Sequence, residues 1–235
     1  MSLGNCYYLL KNSFVDYPGM VAAVLFFGGC NFHCPYCHNP HLVNLSDSEP
    51  QVSFNEYTDY IRKMRGLVDA VVLSGGEPTL CPDLSLWIDP ARQYGYSVKL
   101  DTNGSNPEAV QKHLQKLSCV GLDFKLPVDR YYEFGNETSG EKWLKTLDIV
   151  LNAVNLKTDI RTTVHPDVLS YSDLMSMRDT LLEHGARQWT LQQFHKVDTL
   201  LPEFGVLPAY SDEELLGMAE DLETPELKLS VRGLS

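Results

Sequence analysis

The 235-residue chain has no run of about 18 apolar side chains, the length a membrane-spanning helix needs, and no basic, apolar, small-residue order of the secretory kind at its start. A membrane-embedded or exported protein is therefore not expected, and a cytoplasmic one is. Basic residues are scarce: 19 Lys and Arg stand against 31 Asp and Glu, a net charge of -12. Phosphate backbones are held by Lys and Arg, so neither DNA nor RNA is an expected partner. Cysteine is sparse as well, six in the whole chain, too few for a disulfide-dense scaffold. No Pro/Gly/Ser-rich linker, low-complexity tract or internal repeat interrupts the sequence, which predicts one domain over 1–235.

What is present is alternation. Six short apolar runs, 21–27, 70–74, 97–102, 119–125, 158–164 and 188–194, are too short and continuous for amphipathic helices and predict buried parallel strands. Between them, 54–65, 106–117, 140–152 and 172–184 carry apolar residues at three- and four-residue spacing and predict crossover helices. A further helix and a short edge strand are expected over about 211–233. This order predicts an α/β fold, an open doubly wound sheet or a partial barrel, with its reactive loops beyond the carboxyl ends of the strands. Ser74-Gly75-Gly76-Glu77, Asp101-Thr102-Asn103-Gly104, Asp123-Phe124-Lys125 and Thr163-Val164-His165-Pro166 all stand at such ends.

The decisive stretch is the loop 28–40, where Cys30, Cys34 and Cys37 follow the first predicted strand. Gly28 and Gly29 permit unusual backbone angles and Pro35 and Pro40 discourage a regular helix, so the loop is able to fold around an object. Three thiolates fill three corners of a four-iron cluster and leave the fourth metal open, as a catalytic centre requires. Zinc held by the same cysteines and one of His33, His38 or His41 is the alternative. Cys6, Cys81 and Cys119 stand alone and receive no role. Phe32, His33 and Tyr36, between the ligands, supply bulk that shields a cluster.

These residues resemble the radical S-adenosylmethionine (SAM) superfamily, whose signature is this three-cysteine loop after the first strand of a partial (β/α)6 barrel. With Asp16-Tyr17-Pro18-Gly19, Cys37-His38-Asn39-Pro40, Leu100 to Ser105, Arg161 to Val164 and Leu191 to Phe194, the chain is similar to activating enzymes of glycyl radical enzymes, and most similar to the longer type that activates anaerobic ribonucleoside-triphosphate reductase. The resemblance implies a [4Fe-4S] cluster and SAM, reductive cleavage of SAM to a 5'-deoxyadenosyl radical, and removal of hydrogen from a glycine of a partner such as that reductase or a pyruvate formate-lyase-like enzyme. A flavodoxin or ferredoxin is the implied electron donor.

It also implies roles along the chain. Gly75, Gly76 and Glu77 meet the methionine amino group, and Asn39 approaches the adenosine. Asp101, Thr102 and Asp123 hold a monovalent cation or polar groups of the substrate, with Asn103 in the same motif. Lys125 pairs with the methionine carboxylate, and Arg161 and His165 reach a carboxylate or the ribose. The runner-up function is a radical enzyme acting on a small molecule, similar to the 7-carboxy-7-deazaguanine synthases. A binding or electron-transfer module is the reading from outside radical chemistry.

Overall fold

The computed structural model describes residues 5–45, 49–196 and 198–234. Eight strands lie side by side in chain order: β1 (Cys6–Ser13), β2 (Ala22–Phe27), β3 (Ala70–Gly75), β4 (Ser97–Thr102), β5 (Cys119–Asp123), β6 (Lys157–Val164), β7 (Gln188–Gln193) and β8 (Lys228–Arg232). β1 is antiparallel to β2, and every later neighbour is parallel. The crossovers carry α1 (Pro40–Val43), α2 (Phe54–Lys63), α3 (Ser85–Gln93), α4 (Pro107–His113), α5 (Ser139–Leu151), α6 (Tyr171–Glu183) and α7 (Asp212–Leu222). Six strand–helix units thus run from β2 to α7. β8 does not pair with β1, so among the described residues the sheet is an open, partial (β/α)6 barrel.

Burial on both faces explains why the early strands read as unbroken apolar runs. Ala22 to Leu25 and Ala70 to Leu73 have no exposed surface at all. On the outer face, Leu25, Leu73, Leu100 and Leu122 join one core with Tyr57 and Ile61 of α2, Ile88 of α3, Val110 of α4 and Leu147 of α5. Trp143 of α5 stacks on Phe124 at 3.9 Å between ring centres and donates its indole N–H to the Asp123 carbonyl. The inner face divides in two. Tyr17, Ala22, Val24, Ala70, Val72 and Cys119 fill one part with a small apolar cluster, while Lys99, Asp101, Asp159 and Arg161 line another with charge.

Helix starts follow from local chemistry. Ser53, Asn106, Ser170 and Ser211 accept backbone N–H groups at the openings of α2, α4, α6 and α7, and the last two form reciprocal pairs with Asp173 and Glu214. Each such cap stabilises its helix by about 1 kcal/mol.

Three elements were not expected from the sequence, the four-residue α1 after the cysteine loop among them. β1 mixes exposed Tyr8 with buried Cys6 and Leu9 as an edge strand, and α3 runs through Pro90, which hides it from a periodicity reading. The expected strand 119–125 ends at Asp123: Phe124 N still donates to Arg161 O, but Lys125 N turns away to the Tyr131 hydroxyl. The expected helix 106–117 tightens into a 3-10 turn at Leu114.

Candidate active site

Parallel pairing brings the carboxyl ends of β2 to β6 to one level, with Phe27 opposite Gly75, Thr102 opposite Leu122 and Asp123 opposite Arg161. The ladder between β2 and β3 continues past the strands. Gly76 N donates to Phe27 O at 2.8 Å and Glu77 N to Gly29 O at 2.9 Å, which ties the cysteine loop to the Gly-Gly-Glu turn. A Cβ at Gly76 would lie 2.1 Å from the Gly29 carbonyl oxygen, so the close approach requires glycine there.

The loop itself is braced from several sides. His33 N donates to Phe134 O, Cys37 N to Cys34 O and Leu201 N to Pro35 O, while Phe32 meets Tyr131 edge-on and Tyr36 meets Phe134. Cys30, Cys34 and Cys37 thereby line one cavity of about 190 Å³, and Cys81, Cys6 and Cys119 lie off it. Burial pushes the Cys30 thiol up to about 11 and the Cys34 thiol up to about 12, so without a metal both stay protonated at neutral pH. Cys30 Sγ also accepts the Phe32 N–H at 3.4 Å and the Asn103 amide at 3.9 Å. Among the described residues, no three of His, Cys, Asp and Glu are grouped to bind a single metal ion.

The opposite wall carries the other expected residues. Asn39, Gly75, Gly76, Asp101, Thr102, Asn103, Asp123, Lys125 and Arg161 all face the same cavity, together with His38, named above only as a zinc ligand, and Ser74 and Thr163, which sequence reasoning had given no role. Arg161 Nε donates to Asp123 Oδ1 at 2.6 Å and its NH1 lies 3.2 Å from Asp101 Oδ1; Lys125 Nζ donates to Asp123 Oδ2 at 2.9 Å. Burial alone would raise the Asp123 carboxyl, but Arg161 and Lys125 hold it well below the usual carboxylate range. The Tyr36 hydroxyl, from the cysteine loop, is buried with no hydrogen-bond partner among the described residues, a group that a polar ligand would satisfy.

Two expected residues lie elsewhere. Glu77 is fully buried behind the wall, where Oε1 accepts from Thr79 N, Thr79 Oγ1 and Thr102 Oγ1, and Oε2 accepts from Asn103 N. Its carboxylate therefore braces the turn, and the cavity meets Gly75 and Gly76 in its place. Burial raises its pKa, with these donors opposing. His165 is fully buried between the rings of Phe194 and Phe204, and its Nδ1 accepts the Asp167 N–H. Burial lowers its pKa, and it does not reach the cavity. Sequence reasoning missed Lys99 and Asp159. The signal was available: Lys99 and Asp101, like Asp159 and Arg161, stand two apart on a strand and so share a face.

Residues 24–171 match the radical SAM superfamily. The chain belongs to that superfamily. A Methanocaldococcus jannaschii protein provisionally named a glycyl-radical enzyme activating enzyme is 34% identical over 211 residues, covering 86% of this chain and 85% of that one. The pyruvate formate-lyase-activating enzyme of Staphylococcus aureus is 28% identical over 235 residues, covering 90% and 86%. Among solved structures, SAM-bound SuiB of Streptococcus suis superimposes with a TM-score of 0.66 at 17% identity, over 89% of this chain and 52% of SuiB, about half its length. QueE of Escherichia coli gives 0.57 at 16% identity, over 98% and 92%. At such identities the two structures speak for the fold.

Membership brings a [4Fe-4S] cluster and SAM, and the residues present fit both. Cys30, Cys34 and Cys37 are the available cluster ligands, and the polar wall, with the unpartnered Tyr36 hydroxyl lining the same cavity, is the available seat for SAM. Together the two cofactors supply a one-electron reduction and a carbon radical; the chain supplies orientation, shielding and charge. The monovalent cation implied by the resemblance does not fit, because the Asp101 and Asp123 carboxylates are already paired with Lys99, Arg161 and Lys125.

Proposed function

We propose that this radical SAM protein activates a glycyl radical enzyme, taking a hydrogen atom from the α-carbon of one glycine and leaving a backbone radical on the partner. The observation that carries the reading is end-to-end similarity: the relatives named activating enzymes match 86–90% of this chain and 85–86% of their own length. The site is consistent with it. Gly75 and Gly76 offer backbone to the amino end of SAM, Lys125 and Arg161 offer cations to its carboxylate, and Asn39 stands at the cavity near His38 for the nucleoside end. Phe32 and Tyr36 pack around the cysteine loop and keep water from the sulfurs.

An anaerobic ribonucleotide reductase or a pyruvate formate-lyase-like enzyme is the proposed target, and a flavodoxin or ferredoxin the proposed electron source. The six described cysteines are all free thiols, which suits a reducing, cytoplasmic setting. The test is anaerobic incubation of cluster-loaded protein with dithionite, SAM and each candidate partner. A glycyl radical signal in the electron paramagnetic resonance spectrum, with 5'-deoxyadenosine formed alongside, is expected for one of them. Deoxyadenosine formed together with a modified small molecule, and never a glycyl radical, would instead support the small-molecule enzyme.

A further inference from the structure

The inner face of the barrel holds its own positive charge where related activases are expected to hold an ion. We propose that the Lys99 ammonium takes the place of a bound Na⁺ or K⁺ beside Asp101, so that this enzyme works without a monovalent cation. This rests on the radical SAM reading and specifies how that same site is charged.

Lys99 is only 1% exposed. Its Nζ donates to the Asp16 carbonyl at 2.7 Å and lies 3.0 Å from Asp101 Oδ1 and 3.9 Å from Asp159 Oδ2. Oxygens from three separate segments thus surround one charge, the kind of hard-oxygen shell a small cation takes. Asp101 Oδ1 makes its contacts as ion pairs, with Lys99 and Arg161 both within 3.2 Å. Asp123 is paired as well, one oxygen with Arg161 and the other with Lys125.

The charge count leaves nothing for a further ion. Asp101, Asp123 and Asp159 are linked in one chain to Lys99, Lys125, Arg161 and Arg232, three carboxylates against four cations. Space for the Asp101 carboxylate in this ion pair is also built in. A Cβ on Gly121, which lies opposite Asp101 on the next strand, would sit 2.3 Å from Asp101 Oδ1 and 3.2 Å from Lys99 Cε. Stability alone does not account for such a pair, because an apolar pair of similar volume commonly does as well.

The test uses cluster-loaded protein with dithionite and SAM in choline chloride, NaCl or KCl at equal ionic strength, reading 5'-deoxyadenosine formation and the melting temperature. The wild type is expected to keep its rate within about twofold across the three salts, while Lys99→Met loses about tenfold in choline and recovers in Na⁺ or K⁺. Its melting temperature should likewise rise on adding Na⁺ or K⁺, and the wild type's should not. A wild type that depends on Na⁺ or K⁺, in rate or in melting temperature, overturns the proposal even if the variant fails to fold. The melting temperature also decides in a preparation that cleaves no SAM, a result that would count against the radical function separately.

Discussion

Glu77 Oε2 accepts the backbone N–H of Asn103 at 2.7 Å, so the carboxylate that closes the turn after β3 fixes the loop that follows β4. Asn103 in turn donates its side-chain amide to Asn31 Oδ1 at 3.0 Å and toward Cys30 Sγ, while Asn31 donates to Ser105 Oγ. One buried acid thereby helps set the position of Cys30 without touching it.

Glu77→Ala should destabilise the fold by about 2–4 kcal/mol, because the hydroxyl of Thr102 and the amide of Asn103 lose a charged acceptor in a buried place. Urea denaturation gives the stability, and SAM affinity should fall with it. Glu77→Gln, which keeps an acceptor, should lose less of both.

Cys34→Ala should abolish the cluster's visible absorption and deoxyadenosine formation, since a buried ligand of the cavity is gone. Cys81→Ala should leave both nearly intact, because that thiol lies off the cavity. Equal loss from the two variants would sink the ligand assignment.

Gly76→Ala should cost about 1–3 kcal/mol, because the new methyl group meets backbone and not a yielding side chain. Melting temperature measures the loss. Slower cluster incorporation should accompany it, as the turn and the cysteine loop share that contact.

Acid should weaken the protein through Asp123. Its folded pKa is depressed, so the stability it contributes is fully present above the unfolded value of about 3.9 and is lost as pH falls below that. Asp123→Asn should lower stability at neutral pH and flatten the dependence below about pH 4. A denaturation series against pH would settle it, and an unchanged acid limb would contradict the pairing with Arg161 and Lys125.

The parts of the molecule that were legible in the sequence are those whose cause is local. Cys30, Cys34 and Cys37 are neighbours in the chain, and β2, β3 and β5 announce themselves because burial on both faces leaves little polar alternation. α3 was hidden by Pro90, and β1 by the mixed pattern of an edge strand. Within the site, the Gly-Gly-Glu turn was legible as a motif, but which way Glu77 points is decided by Thr79, Thr102 and Asn103, two of which belong to the following strand and its loop. His165 was placed correctly after β6 yet turns into the aromatic packing of Phe194 and Phe204, contacts made by the segment after β7. Lys99 shows the same limit: its charge is plain in the sequence, whereas its enclosure by Asp16, Asp101 and Asp159 exists only after three distant segments have met.

The missing side chain at Gly121 carries a consequence for descent. While the Asp101 carboxylate stays where it is, any larger residue at 121 is excluded, because its Cβ would lie 2.3 Å from Oδ1. Positions 101 and 121 are therefore bound to drift as a unit: while the aspartate keeps its place, the residue facing it across the ladder has to stay glycine.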